Sequence, residues 1–366
     1  MGFNCGIVGL PNVGKSTLFN ALTATASAQA ENFPFCTIEP NVGRVAVPDE
    51  RLDKIAALAG SAKTIPTQLE FVDIAGLVKG ASKGEGLGNQ FLGNIREVDA
   101  IVHVLRCFED SNVTHVDGAV DPIRDADTVE TELLLADMES LDKQIENIAR
   151  KAKSGDKETK AQHELMLSVK AVLDEGKPAR TAEIPDDLKK TFKNLQLLTA
   201  KPVLYVCNVA EAEAAEGNEW SRKVEAMAAE KGATSVVISA RIESEIAQLE
   251  TPEDKLEFLE TLGLPEPGLN RIIRAGYDLL GLQTFFTVGP KEARAWTVRV
   301  KAKAPEAAGC IHTDFEKGVI RAEVIAMDDY LVLGGEQACK ESGKMRQEGK
   351  EYIVHDGDIM LFRFNV

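Results

Sequence analysis

The chain has 366 residues, enough for two or three domains that each bury a core of their own. Its formal net charge of −16 argues against wholesale binding of a polyanion, and DNA is not an expected partner. The charge is uneven, because residues 283–366 hold 12 Lys/Arg against 13 Asp/Glu and are nearly neutral. The C-terminal part is therefore the better candidate for a contact with RNA.

The cysteines and the apolar runs indicate a cellular location. Six cysteines are scattered along the chain without C-x-x-C spacing, which is typical of reduced core residues in a cytosolic protein. No apolar run approaches the roughly 20 residues that span a bilayer. The N-terminus lacks the basic and apolar regions of a signal peptide. We expect a soluble, cytoplasmic protein with no membrane partner.

A phosphate-binding loop follows the first predicted strand. Residues 9–17 fit G-x-x-x-x-G-K-[ST], with a buried strand at 3–8 before them and a helix at 17–25 after them. In this setting backbone N–H groups and the helix N-terminus cradle phosphates. Lys15 is expected to reach the β- and γ-phosphates as a catalytic residue, and Ser16 to ligate Mg²⁺. The predicted nucleotide-binding residues of this loop are Asn12, Val13, Gly14, Lys15, Ser16 and Thr17.

Strands and helices alternate after this loop. Strands are predicted at 43–47, 68–72 and 100–105, with helices at 49–58 and 91–98. The alternation predicts a mostly parallel sheet with helices on both faces.

A second part of the site is predicted where the strand 68–72 ends. Asp73 begins a D-x-x-G sequence there, and open α/β sheets bind ligands at this edge. Its carboxylate can hold Mg²⁺ through water, and the Gly76 amide can face the γ-phosphate. Thr37 is the candidate second hydroxyl ligand, although the alternative is a loop threonine without a metal role. The predicted metal ligands are Ser16, Thr37 and Asp73.

From residue 128 to residue 200 the pattern is that of an inserted helical hairpin. Its apolar residues have 4-3-4-3 spacing, which predicts a coiled-coil stripe: Leu134, Met138, Leu141, Ile145 and Ile148. The tip, residues 150–160, carries five Lys/Arg against two acidic residues. This tip is a candidate polyanion contact, and the alternative is a solvated helix turn rich in lysine.

The remaining chain divides in two. Residues 201–281 resume the α/β pattern, so we predict that they and residues 1–127 form the two parts of one nucleotide domain. Residues 282–366 show short strands with period-two alternation and predict a small, separate, mixed β domain.

The base-recognition sequence departs from the guanine-binding pattern. GTPases of this layout carry Asn-Lys-x-Asp, whereas this chain has Asn208, Val209, Ala210 and Glu211. The lysine is missing and the carboxylate has a longer arm, so guanine would leave polar groups unpaired, which costs about 1–3 kcal/mol. The Asn208 amide suits N6 and N7 of adenine. With Ser239 completing the pocket, the sequence favours ATP; the predicted base contacts are Asn208, Val209, Glu211 and Ser239.

Hydrolysis requires a group that orients the attacking water. Many relatives of this layout place a glutamine after D-x-x-G, but this chain has Leu77, which cannot orient water by hydrogen bonding. His115, in a polar loop after a sheet strand, is the candidate replacement; the alternative is a solvated loop histidine. His103 lies between valines on a strand and is expected to be structural.

Several segments together resemble the YchF family of Obg-like ATPases along the whole chain. The matching segments are residues 9–17, 32–41, 73–81, 208–211 and 308–318. The last of these is similar to that family's TGS domain, a β-grasp module, and the inserted coiled-coil hairpin is also a family feature.

The resemblance implies an α/β fold: a P-loop NTPase with a Ras-like, OBG-type G domain, an inserted helical coiled-coil hairpin and a C-terminal β-grasp TGS domain. It implies an Mg²⁺-dependent ATPase of slow turnover, in which a hydrophobic residue such as Leu77 replaces the catalytic glutamine. It also implies association with the ribosome, especially the large subunit, in translation or stress responses, with rRNA reached through the hairpin and the TGS domain.

Two other interpretations stay open. One is an Obg-type GTPase in which Glu211 acts in place of aspartate, and a competition between ATP and GTP separates it from an ATPase. The other is an RNA- or ribosome-binding module with incidental hydrolysis. The missing glutamine favours this module, whereas the set of Ser16, Thr37 and Asp73 favours a working Mg²⁺ site.

Overall fold

The computed structural model describes residues 3–30, 41–74, 87–110, 119–152 and 157–364. These residues fall into two compact units. The first unit is formed mainly by residues up to 28 and by residues 70–276. The second unit joins residues 45–69 to the residues from 277 onward.

The described strands form two six-stranded sheets. In chain order they are β1 Asn4–Val8, β2 Val42–Ala46, β3 Thr64–Ile65, β4 Gln68–Asp73, β5 Ala100–Arg106, β6 Val203–Asn208, β7 Thr234–Ile238, β8 Leu282–Val288, β9 Ala293–Arg299, β10 Val319–Ala326, β11 Arg346–Glu348 and β12 Asp358–Phe364. One sheet has the order β2-β4-β1-β5-β6-β7, and the other has the order β11-β10-β12-β8-β9-β3.

Helices surround both sheets. In chain order they are α1 Lys15–Ala30, α2 Glu50–Ala59, α3 Leu87–Glu97, α4 Pro122–Ala152, α5 Lys157–Asp174, α6 Lys189–Asn194, α7 Glu219–Glu230, α8 Ala240–Ile246, α9 Pro252–Thr261, α10 Gly268–Leu279, α11 Ala304–Ile311, α12 Thr313–Gly318, α13 Met327–Leu333 and α14 Glu336–Glu341. Among the described helices, none combines the length and the apolarity that a bilayer crossing needs.

The first sheet is mostly parallel, as the alternating pattern predicts. β1 pairs in parallel with β4 and β5, β5 pairs with β6, and β6 pairs with β7. Every residue of β5 and β6 is buried, which explains their continuous apolar sequences. Because these strands are parallel, their carboxyl ends meet at one edge. In this register Asp73 lies beside Ile7, and Asn208 lies beside Ile238.

Two long helices, α4 and α5, form the helical insertion. Leu141 of α4 is fully buried in one core cluster with Leu165 and Val169 of α5. The other residues of the predicted stripe are partly buried against the same cluster. α4 begins at Pro122, before the predicted boundary at 128. Residues 153–156 of the basic tip lie outside the described residues.

The second unit has a core on each face of its sheet. α11 contributes to one core cluster, which includes Phe285 and Phe362. Leu52 and Ile55 of α2 belong to the other cluster, with Phe286. The sequence-based boundaries place α2 in the nucleotide domain, whereas these contacts join it to the C-terminal residues. The period-two pattern also did not predict the short helices α11 to α14.

Candidate nucleotide site

The phosphate loop connects the end of β1 to the start of α1. Gly14 has a φ of +95° and Asn12 a φ of +64°, in the left-handed region that glycine adopts freely and asparagine tolerates. A Cβ on Gly14 would lie 2.3 Å from Nδ2 of Asn208. A Cβ on Gly9 would lie 2.9 Å from the carbonyl oxygen of Val104. Both positions therefore require glycine, because a Cβ there would collide with Asn208 or with the Val104 backbone.

Asn208 braces this loop from the end of β6. Its Nδ2 donates to the carbonyl oxygen of Val13 at 2.9 Å, and its Oδ1 accepts from the Ala240 N–H at 2.8 Å. The side chain is only 5% exposed. The Val209 side chain is buried as well, and its N–H donates to the Ile238 carbonyl at 2.8 Å. Asn208 thus holds the phosphate loop against the start of α8, and a contact of its amide with adenine stays a prediction.

Lys15 and Asp73 form an ion pair in the phosphate site. Lys15 is the first residue of α1, and Asp73 is the last residue of β4. Both side chains are mostly buried, with exposures of 12% and 21%. The pair connects the phosphate loop with the D-x-x-G strand, so the structure brings together the predicted phosphate-binding cation and the predicted metal-binding carboxylate.

The first turn of α1 presents polar groups to solvent. Ser16 and Thr17 are exposed, and the turn contains no acidic residue. The helical hydrogen bonds begin with the Leu18 N–H, which donates to the Gly14 carbonyl at 3.0 Å. The helix N-terminus carries partial positive charge, and no acidic side chain of this turn competes for it. This end of α1 can therefore receive an anionic ligand.

The carboxylate of the base motif is already in an ion pair. Arg241 Nε lies 2.9 Å from Glu211 Oε1 as an ion pair, and Glu245 lies 3.6 Å from the same nitrogen. Arg241 is the second residue of α8, directly after the buried Ser239 and Ala240. One carboxylate oxygen of Glu211 is thus occupied by a cation.

Four residues of the sequence-based site lie outside the described residues: Thr37, Gly76, Leu77 and His115. His103 is described, and it lies in β5 with 3% of its surface exposed. Burial lowers its pKa to about 4, and its ring lies 5.7 Å from that of Tyr205. This setting is that of a buried strand residue and agrees with the prediction that His103 is structural, which stays a prediction.

The motifs identify the site residues but not their partners. Nothing in the motifs predicts that Asn208 bonds to Val13, 195 positions away in the chain. The pairing of Arg241 with Glu211 is not predicted either, and the only signal for it in the sequence is opposite charge after adjacent strands. Such contacts depend on the order of strands in the sheet, which a motif does not contain.

These features define a class of protein. A parallel α/β sheet with a phosphate loop between β1 and α1, and an acidic residue at the end of the neighbouring β4, defines a P-loop nucleoside-triphosphate-binding protein. Residues 4–154 match the family model described as "50S ribosome-binding GTPase". Residues 282–365 match the model YchF-GTPase_C, described as "Protein of unknown function (DUF933)".

Full-length relatives identify the family. The chain is 56% identical over 366 residues to the "Ribosome-binding ATPase YchF" of Haemophilus influenzae, and 55% identical over 368 residues to that of Bacillus subtilis, with 100% of each chain covered. The solved Schizosaccharomyces pombe YchF GTPase is 38% identical with a TM-score of 0.89, covering 99% of this chain and 98% of that one. The chain belongs to the YchF family.

Proposed function

We propose that this protein is an Mg²⁺-dependent ATPase that works in association with the ribosome. The observation that carries the proposal is the phosphate site, where Lys15 pairs with Asp73 at the N-terminus of α1, with Ser16 the next residue of that helix. The names of the Haemophilus influenzae and Bacillus subtilis relatives, which specify an ATPase and ribosome binding, support the choice of nucleotide and partner.

Lys15 and Asp73 exchange partners when nucleotide binds. Lys15 leaves the Asp73 carboxylate for the β- and γ-phosphates, which offer it a larger negative charge. Asp73 is then available to Mg²⁺. The Ser16 hydroxyl and the Asp73 carboxylate are hard oxygen donors of the kind that Mg²⁺ prefers, and the bound ion would neutralise charge on the β- and γ-phosphates. Asn12, Val13, Gly14 and Thr17 complete the cradle.

The remaining catalytic roles depend on the sequence alone. We assign Thr37 as a further Mg²⁺ ligand, the Gly76 amide as a γ-phosphate donor and His115 as the residue that orients water. Leu77 cannot perform that last task, so we expect slow intrinsic turnover.

The Glu211–Arg241 pair supports selection of ATP. Guanine is bound in GTPases by a carboxylate that accepts from both N1–H and the N2 amino group. Glu211 has one oxygen engaged by Arg241, so guanine would have to displace a guanidinium to gain both bonds. Adenine has no N1–H and requires no such displacement. Val209 and Ser239 then contribute through their backbone, because both side chains are buried.

A GTPase is the alternative function. The description of the family model that matches residues 4–154 specifies a GTPase, and so does the name of the Schizosaccharomyces pombe protein. Titration calorimetry of nucleotide-free protein with ATP and GTP analogues at matched Mg²⁺ separates the two. A preference for ATP of tenfold or more, about 1.4 kcal/mol, supports the ATPase. Preference for GTP identifies a GTPase with an altered base motif.

The ribosomal part of the proposal concerns the large subunit and its rRNA, reached through the hairpin (128–200) and the C-terminal TGS domain (282–366). Residues 1–127 and 201–281, apart from the segment 45–69 that packs in the second unit, are proposed to form the nucleotide domain, and the protein to act in the cytoplasm. Co-sedimentation with large subunits in ATP, in ADP and without nucleotide tests this part. Equal binding in all three conditions would leave a ribosome-binding module with incidental hydrolysis.

A further inference from the structure

The last residue of β5 is a buried arginine. Arg106 pairs in register with Asn208, the last residue of β6, so it lies at the same sheet edge as the candidate nucleotide site. Only 2% of its surface is exposed. A guanidinium is rarely buried to this extent unless its donors have partners, and the partners of Arg106 therefore indicate its role.

These partners are backbone carbonyl groups just beyond the strand. Arg106 Nε donates to the Phe108 carbonyl oxygen at 3.1 Å, and Arg106 Nη2 donates to the Asp110 carbonyl oxygen at 3.3 Å. The guanidinium carbon lies 4.8 Å from the centroid of the Phe108 ring, within the range of a cation–π contact. One side chain thus holds two backbone positions through the planar fork of donors that arginine has and lysine lacks.

The backbone of Cys107 is fixed from two other directions. Its N–H donates to the Asn208 carbonyl oxygen at 2.8 Å. Its carbonyl oxygen accepts from Nδ2 of Asn218, the N-cap residue of α7, at 2.7 Å. Residues 107–110 are therefore attached to the strand of the base motif, to the start of α7 and to the Arg106 side chain.

A similar contact lies on the far side of residues 111–118, which are outside the described residues. Arg124 Nη2 donates to the Ala119 carbonyl oxygen at 2.7 Å, and the Arg124 N–H donates to Asp121 Oδ1 at 3.1 Å. An arginine side chain therefore bonds to the backbone on each side of this segment. His115 belongs to the segment, five positions after Asp110 and four before Ala119.

We propose that Arg106 is a positioning residue for ATP hydrolysis: it fixes residues 108–110 and, with them, the start of the segment that carries His115. This rests on the proposed role of His115 in orienting the attacking water. Such a group has to be held within a fraction of an ångström, and a misplacement of about 1 Å can cost about 100-fold in rate. Because Arg106 acts through the backbone, its loss should lower kcat and leave nucleotide affinity unchanged.

Arg106→Lys tests the proposal, because it keeps the positive charge and removes the fork. A single ammonium group cannot reproduce both bonds in their present geometry. We expect kcat for ATP turnover without ribosomes to fall about tenfold. Calorimetry with a non-hydrolysable ATP analogue and Mg²⁺ should show an affinity within about twofold of wild type.

Arg180→Lys is the matched control. Arg180 is mostly buried, and it also donates to backbone carbonyl groups, those of Lys231 at 3.3 Å and Thr199 at 3.4 Å. These two residues precede β7 and β6, so Arg180 lies at the opposite edge of the sheet. Both variants should lower the melting temperature, whereas only Arg106→Lys should lower kcat.

A double-mutant cycle with His115→Ala separates positioning from a purely structural role. His115→Ala alone should lower kcat about 100-fold. Adding Arg106→Lys should then lower kcat by less than about twofold more, because no imidazole remains to be misplaced. A structural role of Arg106 predicts instead that the two losses multiply.

Three results would overturn the proposal, and they separate it from the function on which it rests. The first is loss of turnover in His115→Ala with unchanged kcat in Arg106→Lys, which leaves the role of His115 intact. The second is a pair of losses that multiply, or an equal loss of kcat in Arg180→Lys. The third is unchanged turnover in His115→Ala, which would remove the proposed role of His115 and this inference together.

Discussion

Lys15 and Asp73 neutralise each other in the phosphate site, and this pairing affects how nucleotide binds. Each side chain is mostly buried, so neither charge is fully solvated when its partner is removed. In the proposed function, nucleotide and metal together would replace the pair with two new contacts, Lys15 with phosphate and Asp73 with Mg²⁺. Nucleotide without metal would give only the first contact and leave Asp73 close to the anion.

Asp73→Asn separates the effect of the Lys15–Asp73 pair on nucleotide binding from the effect of Asp73 on Mg²⁺ binding. We expect the variant to bind ADP without metal at least as tightly as wild type, because the amide no longer holds Lys15 and no longer repels phosphate. Mg²⁺ should then stimulate turnover about 100-fold less than in wild type, since the charged ligand is gone. Calorimetry with ADP in EDTA measures the metal-free affinity. Turnover measured against Mg²⁺ concentration gives the stimulation by the metal. Lys15→Ala is the control and should lose ADP binding; full Mg²⁺ stimulation in Asp73→Asn would exclude Asp73 as a ligand.

Arg241→Ala tests the selection against guanine. The pair with Glu211 is exposed, and exposed pairs contribute about 0.2–1 kcal/mol. We therefore expect GTP affinity to rise about 1.5-fold to 5-fold relative to ATP affinity, because the Glu211 carboxylate becomes free to accept from guanine. Fluorescent nucleotide titrations measure the ratio. Glu211→Gln in the same background should abolish the gain, and an unchanged ratio would mean that Arg241 has no part in selectivity.

His103 makes folding sensitive to acid. Burial lowers its pKa from 6.5 to about 4, with nearby Glu130 and Lys231 acting in opposite directions. The unfolded chain therefore binds a proton below pH 6.5 that the folded chain does not bind until about pH 4. Its stabilising contribution is complete above pH 6.5 and is lost as the pH falls below that value.

The corresponding variant is His103→Gln. Between pH 7.5 and pH 5.5 the histidine should reduce the free energy of unfolding by about 1 kcal/mol. Urea unfolding is measured at both pH values. The decrease in the free energy of unfolding from pH 7.5 to pH 5.5 should be smaller in the variant than in wild type by this amount. An equal loss in both proteins would mean that other groups cause the acid sensitivity.

Among helices and strands, length and periodicity decided what the sequence could predict. The continuous apolar runs of β5 and β6 and the heptad stripe of α4 gave elements that the structure contains. Helices of six to eight residues, such as α12 and α11, complete about two turns or fewer and show too little periodicity to be recognised. The alternation of Trp296 and Val298 extends in the sequence to Val300, yet Val300 is exposed beyond the end of β9.

In the candidate site, too, local features could be predicted from the sequence and contacts between distant residues could not. The local pattern of the phosphate loop identified Gly14 and Lys15, because the chemistry there is formed by neighbouring residues. Asn208 was identified as a motif residue, but its bonds to Val13 and Ala240 depend on which strands are adjacent. Motif residues therefore identify the groups of the site, but not the distances between them.

Asp137 attaches the helical insertion to the chain that follows it. This buried carboxylate in α4 accepts the N–H groups of Leu198 and Thr199 and the Thr199 hydroxyl, each at 2.7 Å. Asp137→Ala would leave three buried donors without partners. At about 1 kcal/mol or more for each donor, we expect the free energy of unfolding to fall by about 3 kcal/mol.

Asp142→Ala is the matched control on the same helix. Asp142 is about half exposed and pairs with Lys170 at 2.7 Å, so its removal should change stability by less than about 1 kcal/mol. Denaturant unfolding measures both variants. Similar losses would mean that Asp137 contributes no more than an exposed ion pair.

Considered as a whole, the chain passes between its two units more often than the four-segment prediction implies. Residues 45–69, which run from the end of β2 to the start of β4, belong to the second unit. Arg51 of α2 is held by Asp49 and by Asp356, 305 positions away. The amphipathic pattern of α2 showed that Leu52 and Ile55 are buried, but it contained no information on which sheet buries them.

Ile55→Ala tests this assignment in the full chain. Ile55 is fully buried in the core that contains Phe286 and Ile359, so the substitution should destabilise the second unit by about 2–5 kcal/mol. Amide hydrogen exchange should accelerate in β8 and β12, which form that core, and remain unchanged in β6. This outcome would show that a segment inserted in the N-terminal half of the chain stabilises the C-terminal sheet.

Leu204→Ala provides the reciprocal measurement. Leu204 is fully buried in β6, between β5 and β7 of the first sheet, and the substitution removes an apolar side chain of similar size. Exchange should accelerate in β5 and β6 while β8 and β12 keep their rates, because each cavity weakens the unit that contains it. If Ile55→Ala instead accelerated exchange in β6, then α2 would belong to the nucleotide domain, as the sequence-based boundaries place it.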